Sequence, residues 1–363
     1  MATCRDKAVL ITIIVALFLV YLAVFSPPNK QNDLKFEPAV WGPAADKEQP
    51  LEEEANAPQY IDDAGIKEIG FPDTWSGDRS WFDVLSGREN LTIVTAYWDL
   101  GSFKKGSSQT FTKNTYVNWM KSFAHMTSPL VVYTDSQQFI DVTKTHRKRF
   151  SSKTRIFFVD RKYLWPFKLI DQIQSVFSQP GYPKHYPNTV IPGYSAAQHS
   201  KYVVLAHAAI KRYFNTPYYA WLDVGYFRDI VHNEKFFTMN PPADFDPSRI
   251  AFNRVFDLKM NTIPNNIFKG NQVWVGGGLA LGIPEVIFRF EDMYHKAVLY
   301  FLKEHLMSTD QQILFSLYSE TGRKALHPPV ELQLYVPKGS GNPWFYLGYL
   351  CLKTLNQSDV PKR

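Results

Sequence analysis

Cysteine is almost missing from this chain: 363 residues carry two, Cys4 and Cys351, one near each end. A framework of disulfides is therefore excluded, and any folded part must stand on its core alone. Internal repeats are absent, and so are low-complexity tracts outside a proline-rich stretch near the start, which excludes solenoid architectures. The charge balance is +6 with a pI near 9.0, yet no nucleic-acid-binding motif accompanies the basic residues, so a nucleic-acid partner is not expected. Most of the lysines read as solvated surface, and the excess points only weakly to phosphate-bearing ligands. What is present is apolar and aromatic, at 45% and 15% of residues. That supplies core for one large α/β domain or two small ones, with disorder confined to tails.

The one long hydrophobic run is Ala8 to Phe25, 18 residues without a charge. As a helix it would extend about 27 Å at ~1.5 Å per residue, enough to cross a bilayer core. Arg5 and Lys7 precede it, so the positive-inside bias places residues 1–7 in the cytosol and everything after Phe25 in the lumen, a type II signal anchor. A cleaved signal peptide is the competing reading, although Ala23-Val-Phe25 is a poor cleavage site. In the anchored topology the membrane separates the two cysteines. Cys4 is then either an inert thiol or a palmitoylation site. Residues 26–58 hold six prolines and the acidic triplet Glu52 to Glu54, the composition of a disordered stem. The folded domain is expected over 59–355, with Trp75, Trp81 and Phe82 packing onto it, and 356–363 as a tail. Asn90-Leu-Thr92 and Asn356-Gln-Ser358 are glycosylation sequons usable in the lumen. Anchor, stem and sequons together point to a Golgi or ER membrane protein.

From Asn90 onward, β-branched runs alternate with amphipathic stretches. Leu91 to Tyr97, Leu130 to Asp135 and Thr154 to Asp160 read as strands, and Thr112 to His125 as a helix. Gln198 to Phe214 reads as a helix leading into a strand from Tyr218 to Gly225, Ile250 to Phe256 and Val273 to Leu281 as strands, and Pro284 to His305 and Asp310 to Glu320 as helices. This rhythm predicts α/β architecture with a mostly parallel sheet.

The most informative stretch is Tyr218-Tyr-Ala-Trp-Leu-Asp-Val-Gly-Tyr-Phe-Arg-Asp229, an apolar strand that ends on a carboxylate followed by Gly225. A departing diphosphate needs its charge neutralised, which a Mg²⁺ or Mn²⁺ held by Asp223 would do. The plainer reading is an aspartate that caps a turn. Thr95, Tyr97 and Asp135 stand at or near two other strand ends, and in an open sheet such ends face one crevice. There they would contact a nucleotide donor: Asp135 a base or ribose, Tyr97 a ring. Lys201 reads as a point charge for phosphate or as an exposed helix lysine.

Four segments carry a resemblance: Thr92-Ile-Val-Thr-Ala-Tyr-Trp-Asp-Leu-Gly101, Leu130-Val-Val-Tyr-Thr-Asp135, Trp221-Leu-Asp-Val-Gly225 and Trp274-Val-Gly-Gly-Gly-Leu-Ala-Leu-Gly282. They resemble the HtrL/YibB family over roughly Leu91 to Val336. That family is similar to glycosyltransferases of the GT-A fold. The resemblance implies transfer of a sugar from a nucleotide-sugar donor to a glycan or glycoconjugate acceptor. It implies an acceptor-side loop at Trp274, Gly276, Gly277 and Gly278, a helix start at Asp310 and a metal-completing histidine at His327. Asp310 is then either the catalytic base that takes the acceptor's proton or a first-turn acid favoured by the helix dipole. The glycines equally suit a tight turn, and His327 a structural role. Where GT-A enzymes carry Asp-x-Asp, this chain has Gly225. Two rival functions remain: a noncatalytic carbohydrate-binding or interaction protein on the same fold, and a secreted hydrolase using Asp223 and Asp310 as paired carboxylates.

Overall fold

Along Leu91 to Trp98 the side chains alternate, and both sides are buried: Leu91, Ile93 and Tyr97 join one hydrophobic cluster, Val94 and Trp98 another. A strand buried on both faces belongs between two helical layers. The computed structural model describes residues 65–71, 90–106, 109–257 and 259–356. The expected tail, anchor and stem, together with Trp75, Trp81 and Phe82, lie outside them. Among the described residues no helix is long and apolar enough to cross a membrane.

Short helical turns aside, the order is β1 (Ile66–Glu68), β2 (Leu91–Tyr97), β3 (Phe103–Lys105), β4 (Gln109–Phe111), α1 (Lys113–Trp119), β5 (Leu130–Thr134), α2 (Gln137–Arg147), β6 (Thr154–Val159), α3 (Ile170–Phe177), α4 (Pro192–Lys211), β7 (Tyr218–Leu222), β8 (Phe237–Met239), β9 (Ile250–Arg254), α5 (Pro264–Lys269), β10 (Val275–Gly282), α6 (Pro284–Lys303), α7 (Asp310–Tyr318), α8 (Glu320–Leu326), β11 (Leu332–Tyr335), α9 (Tyr346–Cys351) and β12 (Leu352–Thr354). Eight strands form one sheet in the order β1-β6-β5-β2-β7-β10-β9-β11. Strands β6, β5, β2 and β7 are mutually parallel, β10 runs antiparallel to β7 and β9, and β11 is parallel to β9. The mostly parallel mixed α/β sheet expected from the sequence is therefore what forms.

One face carries α3, α4, α6 and α7. The other carries α2, the 3₁₀ continuation of α1 over Met120–His125, and α9. Helix α4 is enclosed along most of its length, so its buried polar side chains need partners. They have them: Trp98 Nε1 donates to Ser200 Oγ at 2.8 Å, Tyr133 Oη meets His207 Nδ1 at 2.7 Å, and His199 Nδ1 meets Tyr294 Oη at 2.6 Å.

Several boundaries differ from expectation. Helix α4 begins at Pro192, before the expected Gln198, because proline at the first helical position needs no backbone donor and starts a helix. Strand β7 stops at Leu222 where a turn begins, with Tyr226 N donating to the Asp223 carbonyl at 2.9 Å. The expected helix from Asp310 divides at Ser319, whose hydroxyl caps α8. Helix α2 and strand β1 have no counterpart in the sequence reading. Cys351 is free and buried, and burial pushes its thiol up to about 12.

Candidate functional site

The chain builds β2, then β5 and β6 on one side of it, then crosses to β7 on the other. The order reverses between β2 and β7, and a ligand crevice forms beyond the carboxyl ends of strands at such a reversal. Asp223 stands there, one residue past β7, with its side chain 40% exposed. Trp221 Nε1 donates to its Oδ1 at 2.8 Å, and Lys201 Nζ reaches the same oxygen at 3.3 Å. Its Oδ2 faces no protein partner among the described residues.

Beneath Asp223 lies a buried group. Lys201, on α4, also donates to the Gly277 carbonyl at 3.0 Å and to Asp310 Oδ2 at 3.3 Å. Tyr202 Oη donates to that Asp310 oxygen at 3.3 Å. Burial alone would lower the Lys201 ammonium, but Asp223 and Asp310 hold it well above its ordinary range. Burial raises Asp310, with Lys201 opposing. Burial drops the neighbouring His199 to about 3, and the Lys201 charge adds to this, so the imidazole is neutral. Lys201 is thus an internal counter-ion; neither the phosphate-facing nor the exposed-lysine reading of it holds. Asp310 is 1% exposed, and α7 starts from a capping box made by Thr309 and Gln312. It is the buried first-turn acid of its helix. As a base open to an acceptor, or as half of a hydrolase pair across a cleft, it has no access.

The triple glycine lies within β10, at a bulge where the register to β9 shifts between Gly276 and Ala280. Side-chain packing explains each position. A Cβ on Gly277 would collide with the Asp310 carboxylate, one on Gly278 would meet the Tyr226 ring at 2.9 Å, and one on Gly276 would meet Val255 at 3.2 Å and Trp344 at 3.5 Å. Gly225 follows the same rule: its Cβ would stand 2.5 Å from Trp119 Cε3. The approach it permits is that of Trp119. Trp274 is buried at 5% exposure and packs on Tyr318 at 5.7 Å, so it does not face an acceptor.

At the β2 side, Thr95 is fully buried and donates its hydroxyl to the Leu222 carbonyl at 2.6 Å, tying β2 to β7. Tyr97 is buried and stacks on Phe139 at 4.6 Å. Asp135 accepts from the Asp99 backbone at 2.8 Å and pairs with Arg161 at 3.0 Å. Burial raises its carboxyl, opposed by those two partners. Asp99 pairs with Lys113 at 2.6 Å; partial burial works upward, yet the Lys113 hydrogen bond and charge hold it below the usual range.

His327 ends α8 five residues before β11, and Leu332 at the start of β11 pairs with Ile250 at the start of β9. Strand β9 runs in the direction of β7, so His327 is at the amino edge of the sheet and Asp223 at the carboxyl edge. The two do not share an ion. Among the described residues no group of three or more His, Cys, Asp or Glu side chains gathers. Gly225 offers no ligand, Asp310 is engaged by Lys201, and the donor set at Asp223 does not fit a protein-held divalent ion. Asn90 and Asn356 are both exposed.

Sequence reasoning missed Arg228. It is exposed, its guanidinium lies 4.5 Å from the Phe345 ring centre and 5.8 Å from that of Trp119, and Nη1 donates to the Gly225 carbonyl at 3.1 Å. Among the described residues it has no ion-pair partner. The available signal was its place in the turn just beyond the Asp223 strand end. The segment holding Phe345 was missed as well. It is bound to this turn through Tyr226 Oη, which accepts from Asn253 Nδ2 at 3.0 Å and from Gly348 N at 2.9 Å, while Asn253 Oδ1 accepts from Leu347 N at 2.7 Å.

The family profile described as "Bacterial protein of unknown function (HtrL_YibB)" matches residues 89–323. The chain belongs to the HtrL_YibB family. The match contains Asp223, Lys201, Arg228 and Asp310, and ends before Trp344 and Phe345. No curated protein matches the chain. Among solved structures it is similar to the crystal structure of mouse xyloside xylosyltransferase 1 in its apo form, at 10% identity and a TM-score of 0.33, over 68% of this chain and 84% of that one.

Proposed function

We propose that this protein is a glycosyltransferase on a GT-A-like sheet, moving a sugar from a nucleotide-sugar donor to a hydroxyl of a glycan or glycoconjugate. The observation that carries the reading is that, at the reversal of strand order, an accessible carboxylate is followed in the next turn by an exposed arginine with no acid partner among the described residues. Arg228 is held by two aromatic faces and a carbonyl, which orients its fork for a planar, bidentate anion such as a diphosphate oxygen pair. As the bond from the anomeric carbon to the diphosphate breaks, the electron pair leaves with the diphosphate oxygen, and this guanidinium stabilises the charge that develops there. Asp223 Oδ2 takes the proton of the acceptor hydroxyl as its oxygen bonds to the anomeric carbon. Trp221 and Lys201, both on Oδ1, fix the carboxylate and leave Oδ2 without a protein partner among the described residues. The half-buried rings of Tyr116 and Trp119, 5.3 Å apart, form a wall against which a base or sugar ring can lie.

The noncatalytic alternative draws support from Gly225, which leaves one acid where the resemblance implies two. Binding alone does not separate the readings; turnover does. The signal anchor at residues 8–25, the luminal orientation and residence in the Golgi or ER belong to the same proposal, supported by the apolar run and the two sequons. The test is calorimetric titration of the full chain with a panel of nucleotide sugars, with Arg228→Ala as control. Wild type is expected to bind one class of donor and the variant to bind it at least about tenfold more weakly. Equal affinity in both would remove Arg228 from the site, and no binding across the panel would reject donor recognition.

A further inference from the structure

We infer that the cation position of this pocket is filled by the chain itself: the Lys201 ammonium occupies an oxygen cage made by Asp223, Asp310 and the Gly277 carbonyl, so donor binding and transfer require no divalent ion. The inference rests on the transferase reading given above and adds its cation dependence.

Three oxygens surround Lys201 Nζ, at 3.0 Å from Gly277 and 3.3 Å from each carboxylate. Two carboxylates and a carbonyl are the ligand types a hard divalent ion selects. Their spacing, however, is that of ammonium hydrogen bonds, longer than the ~2.0–2.6 Å of Mg²⁺ or Ca²⁺ coordination. The lysine is built in. Its side chain is 4% exposed, its helix is enclosed by the sheet and by α6, and no Cβ on residue 277 keeps Asp310 away. Tyr202 supplies Asp310 with a second donor, so the cage closes around one ammonium without an ion. An ion placed on Asp223 Oδ1 would stand next to a like charge and would have neither an acid at 225 nor His327 within reach. The charge on the donor's diphosphate is left to Arg228, which the cage does not engage.

The direct test titrates Mn²⁺ alone into the full chain, followed by the loss of free-ion paramagnetic signal, and measures donor affinity in excess EDTA and in millimolar Mn²⁺. Wild type is expected to take up no Mn²⁺ through Asp223, and donor affinity to agree within about twofold between the two conditions. Lys201→Ala empties the cage and is expected to gain Mn²⁺ binding, which Lys201→Ala combined with Asp223→Asn loses again. Mn²⁺ uptake by wild type that disappears in Asp223→Asn would overturn the inference, as would a loss of donor affinity of more than about tenfold in EDTA. A folded Lys201→Ala that gains no Mn²⁺ would also overturn it. If that variant does not fold, the wild-type titrations decide. If no nucleotide sugar binds in either condition, the transferase reading fails, and the Mn²⁺ titration alone still decides whether the cage holds an ion.

Discussion

Asp223 and Asp310 contact the same lysine at the same distance of 3.3 Å, yet one side chain is 40% exposed and the other 2%. The rim, with Asp223 and Arg228, keeps one carboxylate oxygen and one guanidinium available to a ligand. The floor, with Lys201, Asp310 and Tyr202, satisfies its charges internally. The same residue types therefore do different work: in the rim a charge is available for chemistry, and in the floor an ion pair holds α4, β10 and α7 in register. Removing one partner of a buried pair strands the other, whereas removing an exposed charge at a strand end leaves no cavity.

The largest expected effect is at the rim. Asp223→Asn keeps the shape but cannot accept a proton, so turnover is expected to fall ~10² to 10⁴-fold with donor affinity nearly unchanged. Steady-state kinetics beside calorimetric affinity checks this, and a matching fall in affinity would move Asp223 from catalysis to binding. At the floor, Asp310→Ala removes the acid from beneath Lys201 and is expected to cost about 3 kcal/mol or more of stability. The denaturant midpoint at constant m-value reports it. An unchanged midpoint would erase the distinction between floor and rim.

A third carboxylate sharpens the contrast, because it is buried without a lysine. Glu291 accepts from Trp165 Nε1 at 3.0 Å, its other oxygen has no partner among the described residues, and burial pushes it up to about 7. The folded state therefore binds a proton that the unfolded chain has released. Its contribution to stability is fully present below about pH 4.5 and is lost as pH rises toward 7, by about 3 kcal/mol. Glu291→Gln should flatten this part of the stability profile and raise the melting temperature at pH 8. A profile of the same slope in the variant would assign the pH dependence elsewhere. The smallest effect is Arg228→Lys. Charge is kept but the fork is lost, and donor affinity is expected to drop about tenfold, near 1.4 kcal/mol. An unchanged affinity would mean that the site uses a point charge only.

Much of the frame was legible because strands buried on both faces leave continuous apolar runs: Leu91 to Tyr97, Leu130 to Thr134 and Thr154 to Val159 stand where the sequence placed them. The strand end at Asp223 was legible for the same reason. Helix α2 was not, since its buried side includes Arg147, whose guanidinium serves Thr154 Oγ1 at 2.9 Å and the Phe123 and Ser128 carbonyls at 3.0 and 3.1 Å. A polar residue in a core does not register as periodicity. The glycines misled in a related way. At Gly225, Gly276, Gly277 and Gly278 the missing Cβ makes room for Trp119, Val255, Asp310 and Tyr226, partners distant in sequence. Lys201 and Asp310 likewise meet across 109 residues, a contact that no local pattern announces.

The most direct test of the central claim is the release of nucleoside diphosphate by the full chain, mixed with the donor it binds and with a set of glycan acceptors. The account predicts release that depends on both donor and acceptor, leaves a glycosylated product, and disappears in Asp223→Asn. Tight donor binding by wild type with no release across the whole acceptor set would contradict it and make this a carbohydrate-binding protein built on a transferase-like site.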